Sequence, residues 1–180
     1  MMVRLIKVLA LAAGLILGAA AVAAEVERPS SADVTAAVIY NLLLFIDWPE
    51  ADTGADGNFR LCLLEGGALE SALRKHEGKK VHGAKLSLRQ VAGTPDEMQQ
   101  CRAAFVAAGN PGAIARLAIA AKSQSLLVIG EGAAAVGRGA MIGIGSDGGR
   151  IVFDIDLGAL RRAGLVASSK LLRLARQVVE

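Results

Sequence analysis

Apolar residues recur along this chain with a spacing that changes character several times. Val34, Ala37, Val38, Leu42 and Phe45 follow one another at three- and four-residue intervals, with Asn41 in the same series. That is the period of a helix. Ser30 or Ser31 opens it, and Asp33 stands in its first turn, where a carboxylate complements the helix dipole. Asp47-Trp48-Pro49 ends it, because the residue before a proline avoids the α region. Residues 50–58 are polar and contain Gly54 and Gly57, the composition of a loop. The run 59–64 reads as a short apolar strand, and Gly66-Gly67 turns the chain into a helix over 68–76. Residues 80–91 read as mostly extended, 96–100 as a turn or one helical turn and 101–107 as another strand. Asn110-Pro111 starts a helix that runs to about residue 122. The stretch 125–130 is almost wholly apolar, as a strand buried on both faces should be. Two more strands, 141–144 and 151–155, flank Ser146-Asp147-Gly148-Gly149, a strong hairpin signal. A helical turn over 157–162 follows. Ser168 or Ser169 then caps a last helix carrying Leu171, Leu172, Leu174 and Ala175, which ends near the terminus.

That order predicts an α/β fold, a three-layer sandwich with a mixed, partly parallel central sheet. It is Rossmann-like, with helices on the sheet faces and a C-terminal β-hairpin and helix. No internal repeat interrupts it. The first residues have a different character. Arg4 and Lys7 precede an uncharged run from Val8 to Ala20, followed by Ala21-Val22-Ala23-Ala24. This is the order of a cleavable secretory leader, with cleavage after Ala23 or Ala24. The alternative is a single anchor, but the run is shorter than the ~20 residues a spanning helix needs. The expected organisation is a signal peptide over 1–24 and one domain over 25–180.

Removing the leader changes the charge. The chain has 20 basic and 17 acidic side chains; without Arg4 and Lys7 the basic count is 18 and the net charge +1. With no dense Lys/Arg stripe, nothing favours a nucleic-acid partner. Two cysteines remain, Cys62 and Cys101. In an oxidising compartment an even pair reads as a disulfide, closing a loop of about 40 residues worth ~3–4 kcal/mol. The alternative is two buried free thiols on neighbouring strands.

Converging chemistry is scarce. The histidines His76 and His82 have no partner at a metal-ligand spacing, so neither a metal nor a cofactor is expected. No GxSxG occurs, and Ser168 and Ser169 read as helix caps. Glu65-Gly66-Gly67 and Gly130-Glu131-Gly132 lie at strand ends but lack the rest of a phosphate-binding motif. Asp154 and Asp156 share one strand face, where they meet a common partner or belong to a solvated surface. No catalytic residue is assigned and no enzyme is expected. Aromatic residues are only 3% of the chain, yet Tyr40, Phe45 and Trp48 fall within nine positions. They form core, or a partner surface at the end of the first helix. Near the C terminus Lys170 and Arg173 flank an apolar helix face.

These landmarks together resemble one family. Its first helix has the form A-x-x-Y-N-x-x-x-F-x-x-W-P, matched by Ala37, Tyr40, Asn41, Phe45, Trp48 and Pro49. Its L-C-x-L strand is matched by Leu61-Cys62-Leu63-Leu64, and a later cysteine by Cys101. Its terminal block is matched by Ile151, Phe153, Ile155, Asp156, Ala163-Gly164-Leu165, Ser168-Ser169-Lys170-Leu171-Leu172 and Leu174-Ala175. The chain is similar to the YfiR family of periplasmic repressors of membrane diguanylate cyclases. The resemblance implies an α/β sandwich in the periplasm, often a homodimer, that binds the periplasmic domain of an inner-membrane diguanylate cyclase. Repression there lowers cyclic di-GMP and biofilm formation. The partner surface is placed on the exposed parts of the first helix and its exit, Tyr40, Asn41, Phe45, Trp48 and Pro49, with the Asp154–Asp156 edge and Lys170 as polar flanks. Three departures stand out. Asp156 replaces a family asparagine, Gly139-Ala140 replaces Gly-Gly before the hairpin, and a second cysteine pair is missing. The alternative reading is a periplasmic sensor of a small-molecule ligand that signals to another membrane partner, such as a histidine kinase.

Overall fold

The computed structural model describes residues 29–49, 57–65 and 67–180. The leader expected over 1–24 lies outside them. Helix α1 (Ser31–Phe45) starts from a capping box: the Asp33 N–H donates to Ser30 Oγ at 3.1 Å, and the Ser30 N–H donates back to Asp33 at 3.3 Å. Ile46 takes extended backbone angles, and strand β1 (Ile46–Asp47) pairs antiparallel with β9 (Val166–Ala167).

The remaining strands form one eight-stranded sheet. They are β2 (Asn58–Leu64), β3 (Lys80–Val81), β4 (Ala84–Gln90), β5 (Ala103–Val106), β6 (Leu127–Glu131), β7 (Ile142–Asp147), β8 (Arg150–Asp156) and β10 (Gln177–Val179). Their order is β10-β8-β7-β6-β5-β2-β4-β3. Strands β4, β2, β5, β6 and β7 are mutually parallel, whereas β3 and β8 join antiparallel. This is the mixed, partly parallel α/β sheet that the sequence predicts. Every residue of β5 is buried, as are Leu127–Gly130 of β6, because both faces of the central sheet are covered.

The connections carry α2 (Gly67–Arg74), α3 (Pro95–Met98), α4 (Pro111–Gln124) and a 3-10 segment (Ala133–Arg138). From β2 the chain steps one way to β4, and from β5 it steps the other way to β6. Right-handed crossovers therefore put α2 and α4 on opposite faces. Helix α1 packs beside α2, and α4 beside the 3-10 segment. The reversal of winding lies between β2 and β5, and a crevice opens at their carboxyl ends.

Cys62 on β2 and Cys101, just before β5, are joined in a disulfide with a Cα–Cα distance of 5.9 Å. Gly130 is fixed by packing. A Cβ there would lie 2.5 Å from Ala135 Cβ and 2.9 Å from Ile114 Cδ1, so only glycine lets α4 and the 3-10 segment approach β6. This is the role of the Gly130-Glu131-Gly132 turn's first residue.

The mostly extended stretch 80–91 is a hairpin, β3 and β4, turning at His82-Gly83, where both residues have positive φ. The helical series through Val34 and Phe45 does not mark the core face of α1: the buried residues are Ala36, Ile39, Leu42 and Leu43, of which the series contains only Leu42. Apolar residues occupy nearly every side of this helix, so periodicity could not select the buried one. Finally, the last helix, α6 (Ser169–Leu174), stops early. Ala175 is extended, the Arg176 N–H donates to Phe153 O at 2.9 Å, and β10 runs parallel to β8. Val178 and Val179, β-branched, favour that strand over another helical turn.

Candidate partner-binding surface

Helix α1 presents an apolar face to solvent. Val34 is 39% exposed, Asn41 is exposed, and Val38 and Phe45 are half-buried, two turns apart along the helix. Phe45 sits where α1 meets α6, with Lys170 Nζ 5.2 Å from its ring centroid. At that distance the ammonium is attracted to the ring face. Leu174, four residues beyond Lys170 on α6, is 63% exposed and lies on the same helix side. Val166, cross-strand from Asp47, is 60% exposed. Exposed and half-buried apolar residues thus give α1 and α6 an apolar strip around the Phe45–Lys170 contact, with Val166 exposed on β9.

Among the residues expected at the partner surface, the structure brings Asn41, Phe45 and Lys170 together on that strip. Asn41 Nδ2 donates to Ala37 O at 2.9 Å. Pro49 is exposed beside Gly164, 3.5 Å from where a Cβ there would stand. Trp48 is half-buried and anchored: its Nε1–H donates to Ser125 O at 2.9 Å, and its ring meets Phe59 edge-on at 5.0 Å. Tyr40 turns toward the β3 side. Its hydroxyl donates to Lys80 O at 2.9 Å, and its ring lies 5.1 Å from that of His76. Burial and the neighbouring Lys79 ammonium hold the His76 pKa below its usual value.

Asp154 and Asp156 do not meet a common partner. Asp154 is buried, and its carboxylate takes the Arg176 guanidinium side-on through two contacts, Nε to Oδ1 at 2.9 Å and Nη2 to Oδ2. That ion pair pins the start of β10 to β8 and raises the Arg176 pKa. Asp156 caps α5 (Leu157–Arg162), accepting from the Ala159 N–H at 2.6 Å, with Arg162 at 3.8 Å. An asparagine can cap a helix in the same way; the aspartate adds a charge that faces Arg162.

The sequence reading missed Val166 and Leu174. Leu174 carried a signal, its i,i+4 spacing from Lys170, but that spacing belongs equally to a buried face. Among the described residues no three His, Cys, Asp or Glu side chains are placed to hold a metal ion, and no helix is long and apolar enough to cross a membrane.

A family model described as YfiR/HmsC-like matches residues 32–176. The chain belongs to that family. The match contains α1, the paired cysteines and α6 as one unit, so the resemblance read from the end blocks holds across the sheet between them. The family is periplasmic and regulatory rather than catalytic, and it points to a membrane signalling protein as partner. No curated protein matches the chain. Among solved structures, a conserved domain protein from Vibrio cholerae O1 biovar eltor is similar at 14% identity and a TM-score of 0.53. The alignment covers 83% of this chain and 60% of that one, and it shows a shared α/β fold. An ABC domain in complex with L-Trp from Streptococcus pneumonia aligns at 12% identity and a TM-score of 0.45, over 71% of this chain and 57% of that one. A score that low carries no argument.

Proposed function

We propose that the protein represses an inner-membrane diguanylate cyclase by binding its periplasmic domain through the apolar strip of α1 and α6. The observation that supports this reading is the outward apolar face itself. A helix apolar all round belongs in a core or against a partner, and among the described residues nothing covers the side of α1 that carries Val34 and Asn41. Asn41, Phe45, Lys170 and Leu174 form the centre of the surface, with Val166, Trp48 and Pro49 at its edge. Tyr40 and Asp156 border it, while Asp154 acts indirectly by fixing the C-terminal strand. Repression works by linkage, because the protein binds the inactive cyclase better than the active one. Shifting the cyclase from mostly active to mostly inactive takes about 5.5 kcal/mol of differential affinity.

The test is cyclic di-GMP in a strain lacking the gene, complemented with exported or leaderless copies. Deletion raises cyclic di-GMP, and only the exported copy restores it. Leu174→Asp and Lys170→Glu, both at exposed positions, abolish restoration while the variant accumulates in folded form. Trp48→Ala is a poor probe, since it also removes the bond to Ser125 O. Full restoration by Leu174→Asp would refute the placement. An unchanged cyclic di-GMP level on deletion would refute the cyclase as partner.

A further inference from the structure

Positive charge is gathered at one corner of the sheet. Residues 74–85, from the end of α2 through the β3–β4 hairpin, hold five Lys and Arg side chains and one carboxylate, a net +4. Without Arg4 and Lys7 the chain carries +1, so everything outside this segment and the expected leader sums to −3. A segregation of that size gives the molecule an electrostatic direction.

Local ion pairs do not cancel the corner. Arg74 Nε donates to Glu70 at 3.1 Å and its Nη1 to Glu77 at 3.4 Å, while Lys75 Nζ donates to Asp33 at 2.7 Å. Glu77 is engaged a second time at the edge of β4, where its Oε1 accepts from the Leu88 N–H at 3.0 Å. Among the described residues no ion pair reaches Lys79, Lys80 or Lys85, and all three are exposed. Lys79 Nζ has rings for neighbours, His76 Nδ1 at 3.2 Å and the Tyr40 ring centroid at 5.4 Å. Lys80 and Lys85 stand directly opposite each other in the antiparallel β3–β4 pair. Side chains so placed share a face, and like charges there destabilise the pair. The Tyr40 hydroxyl, donating to Lys80 O, holds β3 in that position.

The residue types choose the partner. Protein–protein interfaces favour arginine, whose planar fork matches a single carboxylate, and are depleted in lysine. Here the one arginine of the segment is engaged within the protein, and the three remaining cations are lysines, point charges on flexible stems. They suit a surface whose negative charge is spread over many headgroups. We propose that the β3–β4 corner docks on an anionic phospholipid surface through Lys79, Lys80 and Lys85. An exported protein that regulates a membrane protein works beside such a surface. The corner stands on different elements from the α1–α6 strip, and vesicle binding is read without any cyclase, so failure of either reading leaves the other standing.

Flotation of the purified mature protein with vesicles of phosphatidylcholine and phosphatidylglycerol in equal amounts tests this. Pure phosphatidylcholine vesicles, free glycerol phosphate and poly-L-glutamate are the controls. The expected result is binding to the mixed vesicles, weakening as salt is raised, and none to phosphatidylcholine. Each lysine near an anionic surface strengthens binding about fivefold, so Lys80→Gln and Lys85→Gln each weaken it by about that factor. Lys80→Glu and Lys85→Glu each weaken it further. Each reversal places a glutamate opposite the remaining lysine, an attractive cross-strand pair, so the hairpin and the melting temperature are kept. Arg138→Glu, the same charge change on the 3-10 segment, weakens binding far less. Absence of binding to the mixed vesicles would overturn the proposal, as would binding unaffected by Lys80→Glu and Lys85→Glu, or equal binding to phosphatidylcholine alone. Displacement by glycerol phosphate would mean a discrete phosphate site, and binding to poly-L-glutamate but not to vesicles an acidic protein segment; either overturns the lipid surface.

Discussion

Opening the Cys62–Cys101 bond has a magnitude that follows from topology. The bond spans 39 positions and ties β2 to the entry of β5, its parallel neighbour. Releasing it frees a loop of that length in the unfolded chain, which the chain-entropy relation values at about 4 kcal/mol at 25 °C. The folded state changes little by comparison. Cys62 is 0% exposed and Cys101 3%, and as thiols both remain packed as small apolar groups. Reduction is a cleaner perturbation than a double alanine variant, which also deletes two buried sulfurs and leaves cavities. For a domain of this size each kcal/mol moves Tm by about 2–4 °C, so reduction lowers it by roughly 8–16 °C. The assay is urea unfolding by circular dichroism with and without a phosphine reductant, with thiol titration to verify that the bond has opened. The midpoint falls, and the slope rises because the reduced unfolded chain exposes more surface. An unchanged midpoint in fully reduced protein would refute the loop-entropy argument.

Gly130→Ala costs about 1–3 kcal/mol in chemical denaturation, because the new methyl meets Ala135 and Ile114 at once. Gly137→Ala, at a position with open space around it, serves as the neutral comparison. Arg176→Ala lowers Tm more than Arg162→Ala, since it leaves the buried Asp154 carboxylate without its cation, whereas the Arg162–Asp156 contact is solvent-exposed. Equal losses would mean that Asp154 finds another partner. The Lys75 ammonium, then the Ser30 hydroxyl, hold the Asp33 pKa below its ordinary 3.8. A depressed carboxylate stabilises the fold above its unfolded pKa, and that contribution disappears as pH falls through the folded value. Stability therefore declines on acidification below about pH 4, and Asp33→Asn flattens that part of the pH profile.

The sequence by itself determined the elements whose signals are local. Ser30 and Asp33 cap α1, Asn110-Pro111 opens α4, and Ser168 caps α6, each by a bond within three or four residues. Gly148-Gly149 turns the β7–β8 hairpin with positive φ at both residues, and the uniformly apolar β6 is buried in the sheet centre. Motif spacing also carried the family resemblance, because its end blocks are short and continuous in the chain. Other features depended on contacts that no local pattern encodes. Which side of α1 is core was decided by where α2 and α6 pack, since an all-round apolar helix has no preferred face. Asp154 reads as an exposed flank until Arg176, 22 residues later, reaches it through the pairing of β10 with β8. The end of α6 was set by that same pairing, which satisfies backbone groups a further helical turn would have bonded internally. The crevice holding Glu65 and Glu131 is likewise a product of strand order. Glu65 and Glu131, 66 positions apart, line it from the ends of different strands because the winding reverses between β2 and β5, a long-range event invisible to spacing along the chain.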